Sequence, residues 1–209
     1  IDASQSAGIL PLKMEALDAS FIAMPGHKGL YGPQGTGVLL CGKCVSTRTL
    51  LEGGTGSQSI QQIMPDFLHD RLEAGTLNMP GIAGLLAGVR YVRRGGLDKI
   101  LAHEKHLTQM TLQGLEDLPG VKVYAAPGLR NQTGVLSLTA EGQDVEVIGS
   151  ALAERGIAVR AGIHCAPYAH RTAGTLDSGT VRISFSDFNT PEEVARLLRA
   201  LHGNLGRSF

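Results

Sequence analysis

The stretch Gly26-His27-Lys28-Gly29-Leu30-Tyr31-Gly32-Pro33 places a lysine in a glycine-rich loop. The loop follows a short β-prone run at residues 20–24, and a second such run follows at residues 36–40. Glycines at this density allow the tight backbone turns that a ligand-binding loop needs. A solvated surface lysine is the plain alternative, and the polar groups near the start of the chain favour the ligand-binding interpretation.

Those polar groups complement Lys28. Asp2 and Gln5 follow what reads as the end of a strand, and His27 lies beside the lysine. These group types suit pyridoxal 5′-phosphate, because a lysine amine forms a Schiff base and a carboxylate keeps the pyridine nitrogen protonated. A glutamine can hydrogen-bond the phenolic oxygen, and cations or backbone N–H groups suit the phosphate. The combination predicts a site for this cofactor.

The composition of the 209 residues excludes several classes of protein. The 19 basic side chains balance 19 acidic ones, so the chain lacks the basic excess that nucleic-acid binding needs. No apolar run approaches the roughly 20 residues of a membrane-spanning helix, so no membrane partner is expected. The 3 cysteines cannot build a disulfide framework and indicate a reducing, cytoplasmic compartment.

Hydrophobic periodicity predicts two domains joined by a helix. Residues 1–96 read as part of a large α/β domain that includes a long, functional loop region at residues 52–80. Residues 97–118 have the strongest helical pattern and predict the linking helix, while residues 119–209 read as a small α+β domain. The remaining predicted elements are helices at 82–94 and 144–155, a C-terminal helix, and strands at 121–125, 135–139, 157–160 and 181–186.

The two ends of the chain differ. Thr190 and Glu193 form a capping box with Pro191 at the first helical position, and an apolar stripe follows them. The stripe consists of Val194, Leu197, Leu198, Leu201 and Leu205. The N-terminus has neither a Met nor a targeting pattern, and residues 1–8 read as a strand end that runs into a loop. We therefore expect a fragment that starts within a fold.

Five stretches together resemble the class V aminotransferase group of fold-type-I pyridoxal-phosphate enzymes, and they are most similar to cysteine desulfurases and selenocysteine lyases of the SufS-like branch. In chain order they are Asp2-Ala3-Ser4-Gln5-Ser6-Ala7-Gly8, Gly26-His27-Lys28-Gly29-Leu30-Tyr31-Gly32-Pro33, Arg71-Leu72-Glu73-Ala74-Gly75-Thr76, Arg160-Ala161-Gly162-Ile163-His164-Cys165-Ala166 and Val181-Arg182-Ile183-Ser184. The resemblance implies an aspartate aminotransferase-like α/β fold, with the latter part of the large domain followed by the small α+β domain. The first half of the large domain would precede this chain.

The resemblance also assigns cofactor roles residue by residue. Asp2 is expected to face the pyridinium nitrogen of pyridoxal 5′-phosphate, and Gln5 its phenolic oxygen. His27 is expected to contact the phosphate, and Lys28 to bind the cofactor covalently. Thr76 is expected to reach the phosphate of the neighbouring subunit's cofactor, which implies a homodimer with shared active sites.

Arg182 and Cys165 are the groups expected to act on the substrate. The resemblance implies that Arg182 binds the substrate carboxylate through its two-pronged guanidinium. Small and turn-forming residues flank Cys165, which predicts an exposed loop. A desulfurase needs a thiolate that attacks the sulfur of a bound cysteine and leaves a persulfide on the enzyme. The residues Arg160, His164 and His170 are candidate neighbours that favour the thiolate.

These features favour a pyridoxal-phosphate cysteine desulfurase-like enzyme that converts L-cysteine to L-alanine, with a sulfur-acceptor protein as an expected partner. Another class V aminotransferase or a selenocysteine lyase would use the same Asp2, Gln5, Lys28 and Arg182. A fragment or pseudoenzyme that binds a partner without turnover is the alternative of a different class. Dependence of the reaction on Cys165 separates a desulfurase from these alternatives.

Two further motifs are less specific. Cys41 and Cys44 form a C-x-x-C pair, which is typical of half a zinc site or a redox pair. No second pair completes four zinc ligands, so no metal is expected and both cysteines are interpreted as incidental. The run Gly53-Gly54-Thr55-Gly56-Ser57 looks like a phosphate cradle. The resemblance gives this run a role in shaping the active site near the dimer interface, and a flexible loop is the alternative.

Overall fold

The computed structural model describes residues 1–43 and 45–205, so Cys44 of the C-x-x-C pair and residues 206–209 lie outside the described part. The chain divides into two compact units, Ile1–Leu97 and Asp98–Phe209. Each unit has its own antiparallel sheet. None of the helices in the described ranges has the length and apolar character that crossing a bilayer requires.

The sheet of the first unit consists of β1 (Phe21–Pro25) and β2 (Gly37–Cys41), each one residue from its predicted bounds. The start of the chain lies parallel to β1, because Asp2 and Ala23 form an isolated parallel bridge. In this bridge the Ala23 N–H donates to the Ile1 carbonyl at 3.0 Å. The beginning of the chain and β1 therefore run side by side and end at the same edge of the sheet.

The first unit contains one long helix, α1 (Met79–Gly95), and a short 3-10 helix at Asp70–Leu72. The helix begins three residues before its predicted start, because the Asn78 side chain accepts a hydrogen bond from the Gly81 N–H at 3.1 Å and caps the first turn. A small cluster of buried residues supports the sheet, and it consists of Ala3, Ala7 and Ile22.

The second unit has a three-stranded antiparallel sheet in the order β3 (Val121–Tyr124), β4 (Val135–Ala140), β5 (Val181–Ser184). Its helices are α2 (Leu97–Leu115), α3 (Val145–Ala153), α4 (Pro167–Ala173) and α5 (Pro191–Leu205). The division between the units falls at the start of α2, so nearly all of the expected linking helix belongs to the second unit.

Two helix starts in the second unit confirm the capping predictions. The Thr190 N–H donates to the Glu193 carboxylate at 2.9 Å, and the Glu193 N–H donates to the Thr190 hydroxyl at 3.3 Å, which completes the capping box of α5. The Asp144 carboxylate accepts from the Glu146 N–H at 2.8 Å and caps α3. The apolar stripe of α5 packs into the main core, where Leu201 is fully buried.

The strand predicted at residues 157–160 is wrong. Ile157 and Val159 pack against the core as an alternating apolar pattern should, yet the backbone forms only an isolated bridge there, between Arg160 and Arg182. Helix α4 was not predicted, because its seven residues are too few to show a helical period. Its ends carry ordinary signals all the same, with Pro167 in the first turn and Gly174 in a left-handed conformation after the last.

Candidate active site

Asp2 lies where the first extended segment of the chain leaves the sheet. The Ser4 hydroxyl donates a hydrogen bond to its carboxylate, and the Ser4 N–H donates to the same oxygen at 2.8 Å. These bonds, the hydroxyl bond first, lower the pKa of Asp2 below its ordinary value, and the positive charge of Lys28 acts in the same direction. Asp2 is therefore an ionised carboxylate at neutral pH.

The loop that carries Lys28 packs closely against the first loop of the chain. Gly8 has a φ of +84°, and a Cβ there would overlap the Gly29 carbonyl. A Cβ on Gly29 would in turn collide with the Ala7 carbonyl. Glycine at both positions therefore lets the two loops touch, while the side chains of His27 and Lys28 remain exposed to a ligand.

The structure brings Asp2 and Lys28 within electrostatic reach of each other. They follow two neighbouring segments that run in parallel, and ligands of α/β proteins bind at the carboxyl ends of such segments. Gln5 lies exposed in the loop that follows Asp2. A cavity of about 750 Å³ also opens beside Asp2, along β1 and β2, but Gln5 and Lys28 do not line it.

Thr76 is exposed in a loop that is joined to the glycine-rich run. The Gly75 N–H donates to the Gly54 carbonyl at 2.6 Å, and the Ser57 hydroxyl donates to the Asp70 carboxylate. These contacts hold the two loops together. They favour the shaped-loop interpretation of residues 53–57 over a flexible loop.

In the second unit, Cys165 is exposed in a tight turn, as the sequence predicts. Gly162, His164 and Cys165 have φ values of +100°, +56° and +59°. A left-handed backbone costs a residue other than glycine about 1–2 kcal/mol, so contacts outside the turn must hold it. The Gly162 N–H donates to the Thr180 carbonyl at 3.1 Å, and the Thr180 N–H returns a bond to the Gly162 carbonyl at 3.0 Å.

Two guanidinium groups lie near this thiol. Arg160 Nη2 lies 3.7 Å from Cys165 Sγ, and the Arg182 N–H donates to the Arg160 carbonyl at 2.7 Å across the isolated bridge. Burial lowers the pKa of Arg182, as does the positive charge of Arg160, whereas Cys165 opposes this shift. Arg182 Nε is buried and has no hydrogen-bond partner within residues 1–43 and 45–205. A buried, unused donor of this kind is suited to a bound anion.

The two candidate histidines bind threonines. His164 Nε2 lies 3.0 Å from the Thr180 hydroxyl, and His170 Nδ1 lies 2.8 Å from the Thr175 hydroxyl. Burial lowers the pKa of His164, and the nearby positive charges of Arg182, His170 and Arg160 add to the effect. His164 is therefore a neutral imidazole at neutral pH. Of the three candidate neighbours, the structure brings Arg160 into contact with the thiol.

The sequence alone did not identify two residues that support these groups. Ser4 could have been found, because a hydroxyl two residues after an aspartate is a common local turn arrangement. Thr180 could not, because it is 16 residues from His164 and only the folded turn brings them together.

No group of three or more metal-ligating side chains occurs in the part of the chain that the structure describes. Cys41 is the half-buried last residue of β2. The role of the C-x-x-C pair stays a prediction, because Cys44 is not among the described residues.

The residues of the first unit fit pyridoxal 5′-phosphate by their chemistry. An ionised carboxylate suits the protonated ring nitrogen, and Asp2 is held in that state by Ser4. An exposed lysine within its electrostatic reach suits the aldehyde, and the exposed His27 suits the phosphate.

Comparisons with known proteins agree with this chemistry. The family model described as aminotransferase class-V matches residues 1–197. A probable cysteine desulfurase of Methanothermobacter thermautotrophicus is 36% identical over 204 residues, which are 94% of this chain and 50% of that protein. A probable cysteine desulfurase of Pyrococcus abyssi is 37% identical over 207 residues, 96% of this chain and 50% of that protein.

The apo structure of a cysteine desulfurase from Thermococcus onnurineus NA1 matches with a TM-score of 0.88 at 35% identity, over 98% of this chain and 52% of that one. The cysteine desulfurase CsdA (S-sulfonic acid) from Escherichia coli matches with a TM-score of 0.82 at 28% identity, over 98% of this chain and 51% of that one. The predicted fold-type-I α/β fold is thereby confirmed. The chain spans about half the length of the relatives it matches.

Proposed function

Because this chain belongs to the aminotransferase class-V family, we propose that it is part of a cysteine desulfurase that converts L-cysteine to L-alanine. The observation that carries the proposal is Cys165, an exposed thiol in a turn with a guanidinium 3.7 Å from its sulfur. An aminotransferase has no need for a thiol at this place. The cysteine desulfurases among the relatives support the same choice.

The first unit would hold the cofactor. The family uses pyridoxal 5′-phosphate, whose ring withdraws electrons from the substrate when it is bound. In the proposal Lys28 binds it covalently, Asp2 faces the ring nitrogen, and Gln5 faces the phenolic oxygen. His27 holds the phosphate, and Thr76 reaches the phosphate bound by a second copy of the chain.

The second unit would bind and desulfurate the amino acid. Arg182 binds the carboxylate of cysteine, and its buried, unpaired Nε supports this role. In the proposal Arg160, whose Nη2 lies 3.7 Å from Cys165 Sγ, orients the sulfur for attack. The thiolate attacks the sulfur of the bound cysteine, so that an S–S bond forms while the C–S bond breaks and its electron pair returns to carbon. Protonation of that carbon gives alanine, and the sulfur stays on Cys165 as a persulfide.

The protein is proposed to work as a homodimer in the cytoplasm and to pass its sulfur to an acceptor protein. Apolar side chains on either side of the glycine-rich run 53–57 support an assembly, since Leu50 is 95% and Ile60 99% exposed. The exposed position of Thr76 in a loop joined to the glycine-rich run agrees with a role toward a second copy.

Replacing the thiol tests the function. Cys165→Ser in the full-length protein keeps the size of the side chain but supplies a far weaker nucleophile toward sulfur, so alanine release from cysteine should fall by about 10³-fold or more. Cys41→Ser is the matched control and should release alanine at the wild-type rate. The proposal is wrong if Cys165→Ser also releases alanine at that rate, and an aminotransferase-type reaction then becomes the better account.

A further inference from the structure

The turn that carries Cys165 is anchored by a buried side chain outside its own residues. His164 Nε2 lies 3.0 Å from the hydroxyl of Thr180, which immediately precedes β5. Thr180 is 3% exposed, and its backbone exchanges two hydrogen bonds with Gly162. Thr180 thus holds the turn at two places. Its backbone binds Gly162 at the start of the turn, and its hydroxyl binds the side chain of His164.

The backbone of this turn needs such an anchor. His164 and Cys165 are consecutive residues with a Cβ, and both have left-handed conformations. Ala166 N–H closes the turn on the Ile163 carbonyl at 3.0 Å. A rotation of His164 away from Thr180 would let the turn relax toward ordinary φ values and move the sulfur away from Arg160.

The imidazole is suited to a fixed, uncharged role. Arg182 on β5, His170 on α4 and Arg160 surround it with positive or ionisable nitrogens. His164 Nδ1 is buried and has no hydrogen-bond partner in the described part of the chain. A second proton on the ring would add a buried, unpaired N–H next to these cations, so the ring keeps one hydrogen bond, to Thr180.

We propose that His164 and Thr180 are positioning residues that hold the Cys165 sulfur in place for attack on the substrate. The inference rests on the proposed function and deepens it, because the pair acts through the turn that carries the sulfur. A positioned nucleophile reacts with a bound substrate far faster than a misplaced one, and a displacement of about 1 Å costs on the order of 10²-fold.

A second histidine–threonine pair provides a matched control. Thr175 is also 3% exposed, and its hydroxyl binds His170 at 2.8 Å. The His170 ring packs against the His164 ring with centroids 5.5 Å apart, so this pair shares the packing of the turn, whereas the backbone bonds to Gly162 come from Thr180. Thr180→Val and Thr175→Val remove the same atom from equally buried sites. A purely structural effect should therefore appear in both variants.

The test measures kcat and KM for alanine release and the rate of Cys165 alkylation, in the full-length protein with its cofactor. Thr180→Val should lower kcat for alanine release by about 10- to 100-fold with little change in KM, while Thr180→Ser restores it and Thr175→Val stays within about threefold of wild type. Alkylation of Cys165 by iodoacetamide, read on its peptide by mass spectrometry, should fall by much less than alanine release in Thr180→Val, because a small free reagent needs no fixed sulfur position and loses only the contact of the sulfur with Arg160.

His164→Asn provides a second variant, because asparagine tolerates the left-handed backbone but its side chain is shorter. His164→Asn should also lose much more of its alanine release than of its alkylation rate. Wild-type kcat in both Thr180→Val and His164→Asn would overturn the inference, as would equal losses of alanine release and alkylation. If the wild-type protein releases no alanine from cysteine, the proposed function fails first and the inference falls with it.

Discussion

The two units hold their candidate groups by different physical means. In the first unit, Asp2 and Lys28 are placed by the backbone, through parallel segments and a close approach of two glycine-containing loops. In the second unit, side chains supplement the backbone bonds between Gly162 and Thr180, with Arg160 at the Cys165 sulfur and His164 bound to Thr180. Groups placed by the backbone should tolerate changes of neighbouring side chains, whereas groups placed by side chains should not.

The cores of the two units differ as well. The second unit has a large buried cluster that includes Leu138, Leu152 and Leu201, each 0% exposed. The buried cluster of the first unit is small, and side chains such as Leu50 and Ile60 are almost fully exposed. The second unit therefore derives its stability from its own core, and the first presents apolar surface that an assembly can cover.

Replacing Lys28 should have the largest effect. Lys28→Ala removes the amine that binds the cofactor covalently, so turnover of the full-length protein should fall by at least about 10³-fold. Borohydride reduction followed by mass spectrometry should fix the cofactor to the wild-type protein and not to the variant. Lys13→Ala, another exposed lysine of the first unit, is the control. Wild-type turnover in Lys28→Ala would contradict the proposed cofactor site in the first unit.

A pair of leucine substitutions compares the two cores. Leu201→Ala deletes a fully buried side chain of α5 and should lower the free energy of unfolding by about 2–5 kcal/mol. Leu50→Ala changes a side chain that is 95% exposed within the first unit, and it should stay within about 0.5 kcal/mol of wild type in dilute protein, where an assembly that covers it is dissociated. Urea titration followed by circular dichroism measures both. Equal losses would contradict the difference between the cores.

Glu104 should make the stability of the second unit depend on pH. This carboxylate of α2 is 2% exposed and accepts one bond, from the Gly134 N–H at 3.3 Å. Burial raises its pKa to about 7, and the negative charge of Asp187 adds to the effect. The folded state thus keeps a proton that the unfolded state loses near its ordinary pKa of 4.5, so stability falls as pH rises between these values.

Glu104→Gln removes this titration. The variant should match wild type near pH 4 and exceed its free energy of unfolding by about 1–3 kcal/mol at pH 8, because one unit of pKa shift corresponds to about 1.4 kcal/mol. Glu154→Gln, on an exposed carboxylate, is the matched control. A constant difference between Glu104→Gln and wild type across this range would contradict the buried ionisation.

Arg182→Lys tests a smaller effect on substrate binding. The variant keeps the charge but loses the planar fork, so KM for cysteine should rise by about ten- to a hundred-fold. Arg199→Lys on α5 is the matched control and should leave KM unchanged. Kinetics of alanine release measure both, and an unchanged KM in Arg182→Lys would show that the unpaired Nε does not serve the carboxylate.

Local signals in the sequence predicted much of the fold. The capping residues Thr190 and Asp144 gave correct helix starts, because a cap is made by residues only two or three positions apart. The strand at residues 157–160 failed, because an alternating apolar pattern shows which side chains are buried but does not show whether the backbone has a partner to pair with.

The site was predictable to a different extent in each unit. The resemblance named Lys28 and Cys165, and turn-forming neighbours predicted the exposure of Cys165, which the structure confirms. The sequence did not predict the hydrogen-bond partners of the turn that carries Cys165. Thr180 and Arg182 reach this turn only through the pairing of segments that are distant in the sequence. The sequence indicated Arg160, His164 and His170 equally as neighbours of the Cys165 thiol. The distance of 3.7 Å between Arg160 Nη2 and Cys165 Sγ distinguishes Arg160.

The most direct test of the central claim follows the sulfur atom itself. The full-length protein with its cofactor is incubated with L-cysteine, blocked with an alkylating reagent, digested without reductant and examined by peptide mass spectrometry. The account predicts one additional sulfur on the peptide that contains Cys165 and none on the peptide that contains Cys41. Additional sulfur on the Cys41 peptide alone, or alanine formed with no sulfur on Cys165, would contradict it.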